Sequence, residues 1–509
     1  MARLHEYQGK PLLSAFKIAV PRGGPAHTSL EAEELAREID GEVVIKAQAW
    51  VTGRAALGAI KFAATPTEAA EAASTILGMQ IKNFTVDTVM VEEKLAVQRE
   101  FYAGVIIDDQ AQAPALIFSN IGGSGIEEIA AQNPDAVGKI GIDIRRGLLD
   151  YQARDLIRKT GIHGKLQMSL GNLLVKLYDV ARYYNARAAE INPIVLTEDG
   201  KLYAADCRIT IDDNAVYRFP ELGIEIAREF DRPPTTLERV AWEVEKNDYR
   251  GTFYFIQMEQ NFQQGDGVIG FHGAGGGGSM MSMDAVLNKG YKLANFVDTS
   301  GNPPASKVYR TARIILAQGE IDGYFASGSG VASQEQFHSA RGLVKAFLDA
   351  PLTVPAVIRL GGNAEERAIA ILERAAAEIP APLEAYGKDD SPEFCAVRLD
   401  KMLRQFEPPA KKSAPMNWPQ PEKPYSFDTV SGGTVTFDHA LCAKCESKIC
   451  IETCVPGILE LEDGLPILNI SREEAQKGRC IECLACEVEC YFEGKRGGRI
   501  VLPIPGLEG

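Results

Sequence analysis

The sequence contains no apolar run that could cross a membrane. No stretch of its 509 residues approaches the ~18 consecutive apolar residues that a membrane-spanning helix needs. The opening residues, MARLHEYQGK, are charged from the third position and lack the apolar segment of a secretory signal. These absences predict a cytoplasmic protein without a membrane span, and they leave open attachment to a membrane through a partner.

The chain also has fewer basic residues than acidic residues. The chain has 54 Lys and Arg against 69 Asp and Glu, a formal net charge of -15 at pH 7, and no basic stripe. Because phosphate groups repel an acidic surface, nucleic acid is not expected as a partner. Hydrophobic residues make up 45% of the chain and charged residues 24%, which is ordinary for globular proteins. At roughly 100–200 residues per domain, three or so domains are expected.

Cysteine is scarce in most of the chain and concentrated near its end. Of the ten cysteines, Cys207 and Cys395 are isolated, and the other eight lie between Cys442 and Cys490. Eight clustered cysteines would indicate disulfides in a small secreted protein. Here they belong to a long chain without an export signal, so metal binding is the favoured interpretation.

The clustered cysteines form two runs. The first is Cys442-x2-Cys445-x4-Cys450-x3-Cys454-Pro, and the second is Cys480-x2-Cys483-x2-Cys486-x3-Cys490. A C-x2-C-x2-C loop lets three thiolates surround one corner of an iron–sulfur cube, and the fourth cysteine of each run binds the other cluster. One predicted cluster is therefore held by Cys480, Cys483, Cys486 and Cys454. The other is held by Cys442, Cys445, Cys450 and Cys490.

The cysteine pattern resembles a bacterial-type ferredoxin with two 4Fe–4S clusters, which implies a small α+β electron-transfer domain. The first run departs from the plain form by its x4 spacing, and the second lacks a proline after its last cysteine. The x4 spacing resembles ferredoxin-like proteins that serve electron-transfer flavoprotein systems. The alternative is a pair of structural zinc sites, but their usual pattern is two separated C-x2-C pairs.

The rest of the chain is mixed α/β. Within residues 1–235, VVIKAQA (43–49) is predicted as a buried strand and SLEAEELAREI (29–39) as a helix. Residues 236–405 repeat strand, glycine turn and helix, which predicts a parallel, doubly wound sheet. Residues 406–433 are rich in proline and polar residues and are predicted to be a semi-rigid linker. Residues 434–509 contain the cysteine runs.

Several stretches together resemble the β subunit of succinyl-CoA synthetase and related ADP-forming acyl-CoA synthetases. The resemblance covers roughly residues 1–400 and is carried by LHEYQGKPLL, VVIKAQA, TGRAALGAIK, AEINPIVL and YAADCRITIDDNAVYR. It implies an ATP-grasp domain at 1–235 and a flavodoxin-like CoA-ligase domain at 236–405. It also implies ATP or GTP, Mg2+, and an α-type partner subunit that binds CoA and carries a phosphohistidine. No catalytic residue is assigned to this chain.

The matched residues suit nucleotide binding. Lys46 lies mid-strand among Val and Ile, and a buried lysine needs an anion such as a nucleotide phosphate. A strand lysine can also lie at an edge or extend its ammonium group to solvent. Asn192 and Asp206 face each other across a hairpin and offer oxygen ligands for Mg2+. The resemblance implies nucleotide contacts from Lys46, Gly53, Arg54, Ala55, Glu92, Leu95 and Glu100.

Other positions depart from the family pattern. Ala56 stands where the family has a loop lysine, and Ile121 replaces an acidic residue. In the second domain, the loops where the partner's phosphohistidine would dock are changed to HGAG (272–275), DTSGNP (298–303) and GSGVASQ (328–334). HGAGGGGSM is either an anion nest ahead of a helix or a flexible turn. The residues predicted for the substrate and phosphate loops are His272, Gly273, Gly328 and Gly330.

Two principal hypotheses follow. In the first, the chain and its α-type partner catalyse acid + CoA + ATP ⇌ acyl-CoA + ADP + phosphate, and the ferredoxin domain docks a ferredoxin-linked oxidoreductase or flavoprotein. In the second, the chain is an electron-transfer subunit whose ligase-like body is a platform. The altered loops favour the second hypothesis, whereas the retained Lys46, Arg54, Asn192 and Asp206 oppose it. ATP-driven delivery of low-potential electrons is a third possibility. Succinate is not supported as the acid, because the loops nearest the acyl group differ.

Overall fold

The computed structural model describes residues 2–51, 53–81, 84–123, 133–224, 226, 232, 234–328, 330–407, 418 and 420–507. The chain folds as two compact units, Met1–Pro234 and Thr235–Gly509. None of the helices within these described ranges has the length and apolar character that a membrane crossing needs.

The first unit combines antiparallel strands with helices. Its strands are β1 Ala2–Arg3, β2 Gly23–Ala26, β3 Val43–Ala47, β4 Ile60–Ala63, β5 Gln80–Ile81, β6 Phe84–Thr85, β7 Val89–Glu93, β8 Val97–Asp108, β9 Ala113–Ser119, β10 Val137–Gly141, β11 Ala186–Thr197, β12 Leu202–Ala204 and β13 Cys207–Ile211. Its helices are α1 Glu6–Ala15, α2 Ser29–Ile39, α3 Pro66–Ile76, α4 Asp150–Lys159 and α5 Gly164–Tyr183.

Two sheets organise these elements. The smaller sheet has the order β2-β7-β3-β4, and the larger has the order β1-β13-β11-β8-β9-β10 with β12 paired on β11. Helices α2 and α3 are capped by Thr28 and Thr65, whose hydroxyls accept hydrogen bonds from the backbone N–H groups three residues later. They bury alanine faces against the smaller sheet, whereas α5 packs leucines against the larger one. Each sheet thus has its own core.

The second unit contains a parallel sheet and the cysteine runs. Its strands are β14 Tyr254–Gln257, β15 Val268–Ala274, β16 Lys292–Leu293, β17 Asn295–Asp298, β18 Gly323–Gly328, β19 Ala356–Arg359, β20 Leu383–Tyr386, β21 Pro424–Asp428, β22 Thr434–Asp438, β23 Leu459–Glu462, β24 Leu465–Leu468 and β25 Gly498–Val501. Its helices are α6 Thr236–Lys246, α7 Gly276–Leu287, α8 Ala305–Leu316, α9 Phe337–Asp349, α10 Glu365–Ala376, α11 Pro392–Gln405, α12 His439–Cys442, α13 Ile449–Glu452, α14 Arg472–Glu474 and α15 Ala485–Glu493.

The sheet of the second unit has the order β14-β17-β15-β18-β19-β20, with β16 beside β15. Only β14 runs antiparallel to its neighbour among the described strands of this sheet. The strand order changes direction between β15 and β18. In open α/β sheets, ligands bind where the loops after two such strands separate. The loops that follow β15 and β18 are therefore the expected binding edge.

The cysteine runs lie among short elements around the sheet β21-β22-β25 and the hairpin β23-β24. Strand β21 falls inside the segment that the sequence predicted to be a linker, 406–433. It is an edge strand that pairs with β22 alone in its sheet, which is where a strand that begins with proline is tolerated. The strands of the module therefore extend back to Pro424, which precedes the predicted boundary at 434.

The cysteine module packs directly on the helices of the parallel-sheet domain. Leu343 and Phe347 of α9 belong to the same buried core as Val488 and Tyr491 of α15. Two buried ion pairs cross this contact: Lys345 with Glu487 at 2.7 Å, and Arg341 with Glu489 at 2.9 Å. The two segments that were predicted as separate domains thus share one core.

Candidate functional sites

Buried charged side chains meet between the two sheets of the first unit. Helix α1, strands β3 and β7, and the loops that follow β3 and β12 each contribute to this group. We call it the charge cluster, and its members are Glu6, Lys10, Lys46, Arg54, Glu92 and Asp206. It contains three cationic and three anionic groups, so its formal charges balance.

Lys46 lies at the centre of the charge cluster. Its Nζ is 2.8 Å from Glu6 Oε1 and 2.8 Å from Glu92 Oε2. It also donates to the carbonyl oxygen of Ala205 at 2.7 Å. Lys46 is buried, as predicted from its place in the strand, but internal carboxylates supply the anion that the sequence analysis assigned to a phosphate.

Lys10 was missed by the sequence analysis. It pairs with Glu6 one helical turn earlier at 2.7 Å, and it also pairs with Glu92. The spacing of Glu6 and Lys10 is a recognised helical ion-pair spacing, and this signal could have pointed to them. Their contact with Glu92 depends on the tertiary fold.

The charge cluster favours the ionised forms of Glu6 and Lys46. Burial alone would raise the pKa of Glu6, but Lys10, Lys46 and Arg54 hold that pKa well below its usual value. Burial alone would lower the pKa of Lys46, but Glu6 and Glu92 raise it above its ordinary range. Lys46 therefore carries its positive charge at neutral pH, beside the carboxylates of Glu6 and Glu92.

The two predicted magnesium ligands are neighbours. The backbone N–H of Asn192 donates to the carbonyl oxygen of Asp206 at 3.1 Å. The Asn192 side chain is held by the backbone of Gly123, whose N–H donates to its Oδ1 at 2.9 Å. Asp206 accepts from Arg54 Nη2 at 2.5 Å, and its side chain remains 29% exposed. One amide oxygen and one partly exposed carboxylate suit Mg2+, which usually keeps waters and phosphates as its other ligands.

The other residues predicted to contact the nucleotide differ in how exposed they are. Gly53, with φ of +72°, and Ala55 are exposed on the loop that carries Arg54. Leu95 and Glu100 are half-buried at the β7–β8 connection and the start of β8. Glu92 is fully buried and its carboxylate faces the lysines, so it is not open to a nucleotide base or sugar in this conformation.

His272 is a core residue of the parallel sheet. It lies within β15 with 5% of its surface exposed, and its Nδ1 is 2.7 Å from the hydroxyl of Tyr324. Burial lowers the pKa of His272 to about 3, so the imidazole is neutral at physiological pH. The next residue, Gly273, has no room for a side chain, because a Cβ would lie 2.4 Å from the carbonyl oxygen of Val297.

The predicted anion nest already contains a carboxylate. Asp298 Oδ1 accepts the N–H of Gly275 at 3.0 Å and that of Ser300 at 2.8 Å. The glycine-rich loop is also shorter than predicted, since α7 begins at Gly276. The other loop starts at Gly328 and turns at Gly330, which has φ of +78°. Of the predicted loop residues, Gly330 lies in the loop after β18, whereas His272 and Gly273 lie within β15 and Gly328 is the last residue of β18.

The eight clustered cysteines line two separate cavities. The cysteines of the first cavity are Cys442, Cys445, Cys450 and Cys490. Those of the second are Cys454, Cys480, Cys483 and Cys486. Each cavity thus combines three cysteines of one run with the last cysteine of the other.

Each of the two cavities is lined by four cysteines. Among the residues that the structure describes, no three His, Cys, Asp or Glu side chains converge closely enough to hold one metal ion. A zinc site needs four thiolates around one point at ~2.3 Å, whereas a 4Fe–4S cube spreads four thiolates over its corners. Burial raises the pKa of Cys442, Cys450 and Cys480 to about 12. Bound metal would keep such thiols deprotonated.

Comparisons with known proteins agree with this architecture. A family model of the ATP-grasp domain matches residues 3–196. In fold, the chain is similar to ATP citrate lyase from Methanothrix soehngenii in complex with citrate and coenzyme A. The TM-score is 0.63 at 17% identity, over 79% of this chain and 99% of that one.

Two sequence relatives have a higher identity to this chain than that solved structure has. The GDP-forming succinate–CoA ligase subunit beta of Thermus thermophilus is 39% identical over 370 residues, which is 73% of this chain and 93% of the relative. The ADP-forming succinate–CoA ligase subunit beta of Chloroflexus aurantiacus is 37% identical over 372 residues, again 73% of this chain and 93% of the relative. The chain is a multidomain α/β protein with an ATP-grasp domain, and it belongs to the family of succinate–CoA ligase β subunits.

Proposed function

We propose that the chain is the β-type subunit of an ADP-forming acyl-CoA synthetase and that it carries two 4Fe–4S clusters for electron transfer. The observation that carries the ligase assignment is the charge cluster, which gathers Lys46, Arg54 and Asp206 beside Asn192 within the ATP-grasp domain. The strand order of the second unit supports a flavodoxin-like CoA-ligase domain. The two cysteine-lined cavities support a ferredoxin-like module.

Arg54 is the residue that a nucleotide would move first. In the structure it bridges Asp206 at 2.5 Å and Glu6 at 3.2 Å. A phosphate group is a strong acceptor for a guanidinium, so the phosphates of ATP or GTP would compete with these carboxylates. When Arg54 turns to the phosphates, Asp206 becomes free to join Asn192 as a ligand. Mg2+ bound there would neutralise phosphate charge during phosphoryl transfer.

The second unit would bind the acyl group of the substrate. The loops after β15 and β18 lie at the expected binding edge of the sheet. An α-type partner would supply the CoA site and the phosphohistidine, consistent with relatives that are themselves named as β subunits. The clusters would exchange electrons with a ferredoxin-linked oxidoreductase or a flavoprotein that makes or uses the thioester.

The test is an anoxic assay of the chain with its native partner. ADP release is measured with a panel of carboxylic acids, with and without CoA, and the thioester is trapped as a hydroxamate. The proposal expects multiple-turnover ADP release that needs both an acid and CoA, because phosphorylation of the partner's histidine alone releases at most one ADP per site. Multiple turnovers without an acid, or no turnover with any acid, contradict the ligase assignment.

Replacing Lys46 with methionine should lower kcat/KM for ATP by about 10²–10³-fold, because the site loses one fixed cation near the transferred phosphate. Lys10 still pairs with both Glu6 and Glu92, which limits the damage to the fold. ADP-release kinetics and a thermal unfolding curve are measured together. The matched control is Lys94→Met, since Lys94 lies on the surface with its side chain 44% exposed. A Lys46→Met enzyme within about twofold of wild type would contradict the assignment.

A second candidate function is an electron-transfer subunit whose ligase-like body has no ligase activity. The occupied nest at Gly275 favours it, because the Asp298 carboxylate repels an incoming phosphate. Clusters that are reducible in a complex without any acid-dependent ADP release would support this second function.

A further inference from the structure

The first cysteine-lined cavity has a basic rim. Lys448 and Lys495 line the cavity together with its four cysteines. Lys444 and Arg496 are their exposed neighbours on the two loops that border it. We call these four residues the basic rim. They stand out on a chain whose formal net charge is -15.

The basic rim touches the cysteine ligand nearest to solvent. Cys445 is half-buried, and its sulfur accepts backbone N–H bonds from Lys448 and Lys495. The Ser447 hydroxyl lies 3.5 Å from the same sulfur. The Lys448 ammonium group is fixed at the mouth of the cavity, where it donates to the carbonyl oxygen of Cys442 at 2.5 Å. Positive charge therefore lies beside the most accessible ligand of this cavity.

The second cavity has a different environment. Among the described residues that line it, Glu482 is the charged one, and it is only 1% exposed. Its carboxylate accepts from the hydroxyls of Thr429 at 2.6 Å and Ser431 at 2.7 Å. Ser431 is in turn held by Arg310 of α8 at 2.7 Å. Hydrogen bonds therefore join the part of the module around the second cavity to the parallel-sheet domain.

The Tyr249 hydroxyl adds a second connection. It donates to the carbonyl oxygen of Ile481, between two cysteines of the second cavity, at 3.3 Å. The second cavity thus lies beside the parallel-sheet domain, and the first is bordered by the basic rim. An external carrier meets the first cavity on a surface of opposite charge to most of the protein.

We propose that the basic rim is the docking surface for a small acidic one-electron carrier protein, which exchanges electrons with the cluster of the first cavity. This inference rests on the proposed function, since it requires the clusters. In each step the carrier loses one electron and the cluster gains it, or the reverse, and no bond is made or broken. The acidic remainder of the chain repels such a carrier, so the rim determines where it docks.

The experiment uses the full-length chain, purified anoxically, with a small acidic 4Fe–4S ferredoxin as the probe. Iron content and the visible spectrum are recorded first. The variant Lys444→Glu/Lys495→Glu is compared with Arg479→Glu, whose exposed side chain precedes Cys480 of the second cavity. Binding of the oxidised probe and the second-order electron-transfer rate constant are both measured as a function of salt concentration.

The double variant should lose about tenfold or more in rate constant and in affinity at low salt, with intact clusters, and the loss should shrink at high salt. Arg479→Glu should stay within about twofold of wild type. An unchanged double variant, or an equal loss in Arg479→Glu, overturns the docking surface. Rim-dependent binding to vesicles of anionic phospholipid without binding to the ferredoxin also overturns it. A chain without iron refutes the clusters themselves, and with them the electron-transfer step.

Discussion

Replacing Cys454 with alanine should reduce bound iron from about eight to about four per chain, because one of two cubes loses a ligand. The same residual spectrum is expected from Cys483→Ala, although Cys454 and Cys483 belong to different runs. Both residues line the second cavity. Cys445→Ala and Cys490→Ala, which affect the first cavity, should give a second residual spectrum. Iron and sulfide analysis with electron paramagnetic resonance of the reduced protein distinguishes the two groups.

Cys395→Ala is the matched control for these variants. Cys395 is fully buried, and it packs in the core of the parallel-sheet domain away from both cavities. Its replacement should leave iron content unchanged. Zinc in place of iron, or a grouping of spectra by run rather than by cavity, would show that the cysteine assignment is wrong.

Replacing Lys345 with methionine should destabilise the contact between α9 and α15 by about 3–5 kcal/mol, because Glu487 is left as an uncompensated buried charge. Lys345 is buried, with its Nζ 2.7 Å from Glu487 and 3.0 Å from Asp349. Native-state hydrogen exchange of the α15 amides measures the loss. The exposed Lys289 provides a surface control, and Lys289→Met should change stability by less than about 0.5 kcal/mol.

The effect of Lys345→Met should depend on pH. Burial raises the pKa of Glu487, and Lys345 is the nearest group that opposes this shift. Without Lys345 the folded carboxyl retains its proton at pH values where the unfolded one, with a pKa of about 4.3, has lost it. Stability is then greatest below the unfolded pKa and is lost as pH rises through the folded pKa.

The difference from wild type should therefore be larger at pH 8 than at pH 5. Lys345→Met/Glu487→Gln should recover most of the loss and remove its pH dependence, since a neutral pair has no buried charge. A single variant as stable as wild type at pH 8 would mean that the buried ion pair does not hold the module in place.

Local features of the fold were predictable from the sequence. The predicted strand at 43–49 and helix at 29–39 correspond to Val43–Ala47 and Ser29–Ile39. Apolar periodicity and a capping threonine act within a few residues, so both leave a local sequence pattern. The cysteines line two cavities in the same two groups of four as the predicted cluster ligands, whereas the clusters themselves stay a prediction.

Features that depend on distant residues were missed. Lys46 was noticed because it interrupts an apolar strand. Its partner Glu6 is distant in sequence and contacts it only through the packing of α1. His272 was considered for the substrate loop, but β15 extends through it and Tyr324 holds its ring. The buried pair Lys345–Glu487 has no local pattern at all, because each partner looks like an ordinary charged helix residue.

The central claim is that a nucleotide-using ligase subunit carries the clusters. Its most direct test is to purify the chain anoxically with its native partner and incubate the complex with γ-labelled ATP and Mg2+. Acid-labile, base-stable label on a histidine of the partner is the predicted result. No label on either protein, with clusters intact and reducible, would contradict the claim and leave an electron-transfer subunit built on a ligase body.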